Sequence, residues 1–173
     1  MGELHLILGC MFSGKTTELL RIAKRLNSIG QQVLLLNYHE DTRYSSTDVM
    51  THDHNKISIE SHFVKSLDMD YTNYSIICIN EAQFFEGLKD FCIKALNSDK
   101  VLYITGLDGD FKQEPFGEIL NLIPLCDTIT RLHAFCKVCG NGNPAYFTKR
   151  LTASKEQKLI GTDEYIPVCR NHL

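Results

Sequence analysis

Residues 9–16 read GCMFSGKT, an octapeptide that fits the phosphate-loop pattern GxxxxGK(S/T) and leaves few architectures open to the chain. An apolar, β-rich run from Leu4 to Leu8 precedes it and a helical run follows, which is the strand, loop and helix context the pattern requires. Gly9 and Gly14 allow backbone conformations closed to residues with a Cβ, so successive N–H groups can turn inward around a polyphosphate. Lys15 then sets an ammonium on the β and γ phosphates, Thr16 offers a hydroxyl to Mg²⁺, and the helix that follows aims its positive end at the same anion. The competing reading is a glycine-containing turn that happens to carry a lysine. It accounts for neither the full pattern nor the two flanks.

The remaining chain alternates strands with helices. From Thr17 to Ile29, Leu19, Ile22, Ala23, Leu26 and Ile29 form one helical stripe, with Gly30 placed to cap its carboxyl end. Val33–Leu36, Ser75–Ile79 and Val101–Thr105 are continuous apolar runs, typical of parallel strands covered on both faces. A short amphipathic helix carries Leu88, Phe91, Cys92, Ala95 and Leu96; the helix-like FGEILNLI and a strand near Thr128–Leu132 close the series. Such alternation predicts a mostly parallel sheet flanked by helices, with the loops after Leu8, Leu36, Ile79 and Thr105 along one ligand-binding rim. The composition changes at about Ala134. The expected division is a nucleotide-binding α/β domain over residues 1–133 and a metal-binding unit over 134–173.

Of the 173 residues 43% are hydrophobic, enough for a real core, and a net charge of −3 argues against a partner held mainly through nucleic-acid phosphates. No run approaches the roughly 18 apolar residues that span a membrane, and the start MGELHLIL lacks the charged and apolar regions of a secretory signal. The chain is therefore read as cytoplasmic, without membrane or nucleic-acid partners. In that compartment its seven cysteines are better read as thiols or metal ligands than as disulfides.

Two further groups carry chemistry. The strand SIICI runs into NEAQFF, where phosphate-loop proteins usually place a metal-holding aspartate. Here the residue is Asn80, whose amide accepts a hydrogen bond but brings no charge, so weaker Mg²⁺ binding is expected. If the strand continues, Glu81 faces away from the metal, towards an acceptor whose hydroxyl it could deprotonate. The alternative is that Glu81 caps the next helix. In the second group, Cys136 and Cys139 form one x₂ pair and Cys169 and His172 another; two such knuckles close a tetrahedron around structural Zn²⁺. Cys10, Cys78, Cys92 and Cys126 remain outside it, the last three in or beside apolar runs. Asp41 and Arg43 lie on the long loop after the second strand; Arg43 either clamps phosphate or is a solvated charge. Phe84, Phe85, Phe111 and Phe116 suit either base stacking or the core.

In order along the chain, GCMFSGKT, DTRYSS, THD, NEAQFF, GLDGDFKQEPF, FTKR and the final CRNH together resemble the small cytosolic type of thymidine kinase shared by animals, bacteria and large DNA viruses. The resemblance covers nearly the whole chain. It implies a P-loop NTPase-like sheet with a small C-terminal zinc lobe carrying a lasso loop, and transfer of the γ-phosphoryl of ATP to the 5′-hydroxyl of deoxythymidine. By resemblance, Gly9, Cys10, Met11, Phe12, Ser13, Gly14, Lys15 and Thr16 hold ATP, with Asn80, Gln83, Asp41 and Arg43 beside them. Glu81 matches the base. Phe111 matches a residue packed on thymine, and Met11, Leu107, Phe84 and Phe116 match the same pocket. The lasso corresponds to Gln157, Lys158, Leu159, Ile160 and Gly161, with Tyr165 close by. A homotetramer and feedback inhibition by thymidine triphosphate (dTTP) are also implied. Loss of zinc is then expected to cost thymidine binding before ATP binding.

The chain departs from that family at Cys10, where a proline is common, at Asn80, and in a lasso one residue shorter. Two competing functions follow from the motifs alone. One is a nucleotide-binding zinc protein acting on nucleic acid, although residues 136–173 hold only six basic against three acidic side chains. The other is a non-catalytic sensor that Asn80 has deprived of turnover.

Overall fold

The apolar runs become the inner strands of one sheet. The computed structural model describes residues 1–40, 59–154, 156–158 and 163–173. Among these, β1 (Glu3–Gly9), α1 (Lys15–Ser28), β2 (Val33–Tyr38), β3 (Glu60–Val64), β4 (Ile76–Ile79), α2 (Leu88–Asn97), β5 (Val101–Gly106) and β6 (Thr128–Leu132) follow in order. The strands lie as β3-β2-β4-β5-β1-β6, and every pairing is parallel. The carboxyl ends of β1, β2, β4 and β5 therefore share one rim, as the alternation predicts.

The lack of alternation in β2 and β4 has a direct cause. Val33, Leu35, Ile76 and Cys78 pack with Leu19 and Ala23 of α1 on one face of the sheet. Leu34, Leu36, Ile77 and Ile79 pack with Leu88, Phe91, Cys92 and Ala95 of α2 on the other. Both faces are covered, so Val33–Leu36 of β2 and all of β4 are apolar, and the buried Asn37 enters only at the carboxyl end of β2. Helix α1 stops where Gly30 turns left-handed, with φ 87° and its N–H donated to the Asn27 carbonyl at 2.9 Å. Helix α2 takes its cap from elsewhere: the Glu118 carboxylate accepts the N–H groups of Gly87 at 3.0 Å and Lys89 at 3.1 Å.

Two elements differ from the sequence reading. β3 is an edge strand whose residues are exposed or half-buried, so ESHFV carries no strong pattern. FGEILNLI becomes a 3₁₀ segment, Ile119–Leu125, containing Pro124, which has no N–H for an α-helical bond. No helix among the described residues is long and apolar enough to cross a membrane.

After β6 the architecture changes to two antiparallel ribbons, β7 (Ala134–Phe135) with β8 (Pro144–Ala145), and β9 (Phe147–Arg150) with β10 (Tyr165–Val168). Their buried apolar cluster is small: Ala134, Cys136, Ala145, Val168 and Cys169, completed by Cys10 from the phosphate loop. A core of this size needs a further staple. The larger core should answer to substitution in the ordinary way. We expect Leu34→Ala, at 0% exposure, to cost about 2–5 kcal/mol in urea unfolding, and Ile29→Ala, at 72% exposure, to cost about 0.5 kcal/mol or less.

Candidate active site and metal centre

β1 ends on Gly9 at φ 150°. A Cβ there would stand 2.4 Å from the Leu132 carbonyl oxygen and 2.9 Å from Ser13 Oγ, so the entry to the loop admits glycine alone. Gly14, at φ 84°, leads directly into α1. Lys15 is buried and its Nζ donates to the Cys10 carbonyl at 2.7 Å, as Ser13 Oγ does at 2.8 Å. The ammonium thus lies inside the turn of the loop, beside the positive end of α1. Two bonds tie the loop to the C-terminal ribbons: Met11 N–H to Thr148 Oγ1 at 3.0 Å and Cys10 Sγ to the Ala145 carbonyl at 3.3 Å. Phe12 adopts φ 64° and is half exposed at the loop's tip.

Thr16 Oγ1 donates to Asn80 Oδ1 at 3.0 Å, and Thr105 Oγ1 donates to the same oxygen at 3.0 Å. The Asn80 amide donates in turn to Asn37 Oδ1 at 3.2 Å. Asn80 therefore orients the Thr16 hydroxyl as a carboxylate would, leaving its lone pairs for a cation, but contributes no negative charge. Extended strand geometry does not continue to Glu81. β4 ends at Ile79, and Glu81 takes φ 53° at the head of the 3₁₀ turn Ala82–Phe84, making no capping bond with its side chain. A left-handed glutamate costs on the order of 1–3 kcal/mol, and such costs gather at functional sites.

Gln83, which the resemblance assigns to ATP, is buried with both ends of its amide engaged. Nε2 donates to Glu81 Oε2 at 2.7 Å, and Oε1 accepts the Leu107 N–H at 3.1 Å. It forms a bracket between the carboxyl ends of β4 and β5. Gly117, at φ 63°, passes so near that a Cβ would lie 2.1 Å from the Gln83 carbonyl oxygen.

The aromatic residues form a wall beside this bracket. Tyr38 stacks on Phe84 at 4.9 Å between centroids, and Phe84 meets Phe116 edge-on at 5.3 Å. Lys158 Nζ reaches Tyr38 Oη at 2.8 Å and Glu40 at 2.7 Å, over the Tyr38 ring. Gln157 Nε2 donates to Asp110 Oδ2 at 2.8 Å and to the Pro115 carbonyl at 3.2 Å. The guanidinium of Arg150 lies 3.7 Å from the Phe111 centroid and 5.0 Å from that of Tyr165. Of the residues expected at the pyrimidine, Phe84 and Phe116 thus share the wall that Lys158 reaches, Phe111 and Tyr165 flank Arg150, Gln157 is bonded to Asp110, Leu107 to Gln83 and Met11 to Thr148. Asp41, Arg43, Leu159, Ile160 and Gly161 lie outside the described residues. Motif reading singled out neither Arg150 nor Asp110 nor Thr148, although FTKR and GLDGDF contain all three.

The four metal candidates come together. Cys139 Sγ and Cys169 Sγ are 3.8 Å apart, and His172 Nδ1 lies 3.6, 3.4 and 3.3 Å from the sulfurs of Cys136, Cys139 and Cys169. A zinc tetrahedron with arms of about 2.0–2.3 Å has edges of roughly 3.5–3.8 Å, so the donor set fits the ion in number, type and spacing. Burial opposes ionisation of Cys136, but the N–H groups of Cys139 and Cys169 and the His172 ring outweigh it and bring the thiol down to about 6, the direction a thiolate ligand needs. By contrast, burial pushes Cys78 and Cys92 up to about 12, in keeping with inert core thiols.

The sequence model of the family described as thymidine kinase matches residues 2–173. The chain belongs to the thymidine kinase family. Among similar proteins, a thymidine kinase of Oryza sativa is 43% identical over 99% of this chain and 66% of its own length. The cytosolic thymidine kinase of Homo sapiens is 39% identical over 98% of the chain and 72% of its own length. That of Myxoma virus (strain Uriarra) is 40% identical over 98% and 94%. The chain thus spans about two thirds of the rice relative and nearly all of the viral one. Thymidine kinase membership does not favour a zinc protein acting on nucleic acid.

Because Cys10 and Met11 are bonded to the ribbons that carry the Cys₃His donor set, loss of a metal held there should reach the phosphate loop as well as the lasso, which replaces the thymidine-first order expected from the resemblance. We expect one equivalent of zinc per wild-type chain by elemental analysis and none in Cys169→Ser. In that variant ATP and thymidine affinity should both fall about tenfold or more by calorimetry, while the parallel sheet stays folded by circular dichroism.

Proposed function

We propose that this chain transfers the γ-phosphoryl of ATP to the 5′-hydroxyl of thymidine, giving thymidine monophosphate. The observation that carries the reading is the common rim: the phosphate loop leaves β1, Glu81 leaves β4, and β5 alone lies between them, with Gln83 holding the Glu81 carboxylate in place. In this reading the inward N–H groups of residues 9–16 and the Lys15 ammonium hold the triphosphate. Mg²⁺, when bound, neutralises charge on the β and γ oxygens. Thr16 is its ligand from the protein, its hydroxyl turned by Asn80. Glu81 accepts the proton of the 5′-hydroxyl as the oxygen attacks the γ phosphorus in line. The aromatic wall and the lasso hold the pyrimidine and exclude water.

Residues 1–133 would form the nucleotide-binding unit and 134–173 the zinc-held lasso unit. Asp41 and Arg43 would complete the ATP site, and Leu159, Ile160 and Gly161 the contacts to the base. A homotetramer and inhibition by dTTP follow from the resemblance alone, and a cytoplasmic location is supported by relatives named cytosolic.

Two measurements test the chemistry. ATP consumption should require thymidine, and Glu81→Gln should lower kcat by about 10²–10⁴-fold while leaving the Kd for ATP within about twofold; thymidine-dependent turnover that survives the substitution removes Glu81 as the base. Restoring a charge beside Thr16 with Asn80→Asp should lower the Mg²⁺ concentration for half-maximal rate about tenfold, a difference of about 1.4 kcal/mol. An unchanged Mg²⁺ requirement would show that the amide was no handicap.

A further inference from the structure

Arg150, in β9, is a charged side chain at 8% exposure, and no acidic partner accounts for it among the described residues. Its guanidinium is spent on backbone. Nη1 donates to the carbonyls of Ser154 at 3.0 Å and Glu156, and Nη2 donates to the Gln157 carbonyl at 3.3 Å and to Tyr165 Oη. One face of the plane lies 3.7 Å from the Phe111 centroid, the shortest cation–ring distance among the described residues. Its Nε is buried and has no hydrogen-bond partner among the described residues.

We infer that Arg150 is the positioning residue for the pyrimidine: it fixes the start of the lasso and the Phe111 ring as a single unit, so that the base meets a wall already formed. The inference rests on the thymidine kinase reading above. A planar fork is needed because its two terminal nitrogens reach three carbonyls of one strap, while its face supports an aromatic ring. An ammonium offers no plane and fewer directed donors. Ordering the strap before binding spares the base the entropy of ordering it. Gln157 and Lys158 hold the same strap further along, through Asp110 and through Tyr38 and Glu40. The Lys158 pair is two-fifths exposed on each side and is correspondingly weak.

The test compares wild type with Arg150→Lys and Arg150→Met, each checked for zinc content. The thymidine KM should rise about 10–100-fold, with the ATP KM within about twofold and kcat at saturating thymidine within about threefold. A thymidine KM within about twofold of wild type, or thymidine and ATP KM values rising together, overturns the inference. Should neither variant fold, the wild-type protein decides: the Arg150 Nε–H resonance should shift on adding thymidine and stay put on adding ATP, and an unmoved signal overturns the inference equally. A wild type that hydrolyses ATP without regard to thymidine would instead refute the activity itself, whatever Arg150 does.

Discussion

The Met11 N–H donated to Thr148 Oγ1, with the Cys10 thiol sunk beside it into the core of the ribbons, is the contact on which the rest depends. A phosphate loop is backbone, and backbone holds its shape only where something outside it opposes collapse. Here β1 and the Leu132 carbonyl confine the first glycine from one side, and the C-terminal lobe confines the next two residues from the other. The lobe in turn has too little apolar surface to stand alone and relies on its Cys₃His set. The Gly9–Thr16 loop, the ribbons and the Cys₃His cluster are therefore joined by direct contacts.

Legibility in the sequence followed the physics of each part. Phosphate loop, parallel strands and metal knuckles were readable because each is enforced by local chemistry: a glycine pair, two-sided burial, paired x₂ ligands. The long-range bonds were not. Arg150 sits in FTKR without any periodic signal, since three of its partners are carbonyls whose residue type is immaterial and the rings it meets, Phe111 and Tyr165, are distant or unpatterned in sequence. Glu81 was expected on extended backbone, because nothing in NEAQFF announces a left-handed residue before a 3₁₀ turn. The edge strand β3 escaped because half its surface meets solvent and its pattern is blurred.

Asn80 shows how orientation and charge separate. Thr16 and Thr105 both donate to its oxygen, and Asn37 receives one of its two amide hydrogens, so both lone pairs of the oxygen are engaged in the interior. A carboxylate there would bring charge into a buried pocket, favourable beside a cation and costly without one. The amide avoids that cost in the cation-free protein and gives up the attraction when the cation arrives.

Gly117 extends the site beyond the groups that handle substrate. With the Gln83 carbonyl 2.1 Å from where its Cβ would be, any side chain at that position must push Gln83, and with it the carboxylate that Gln83 braces. A sequence survey of inactive alleles would thus return an exposed glycine that itself handles no substrate. Its lesion would look like chemistry, though its cause is a lack of room for one carbon.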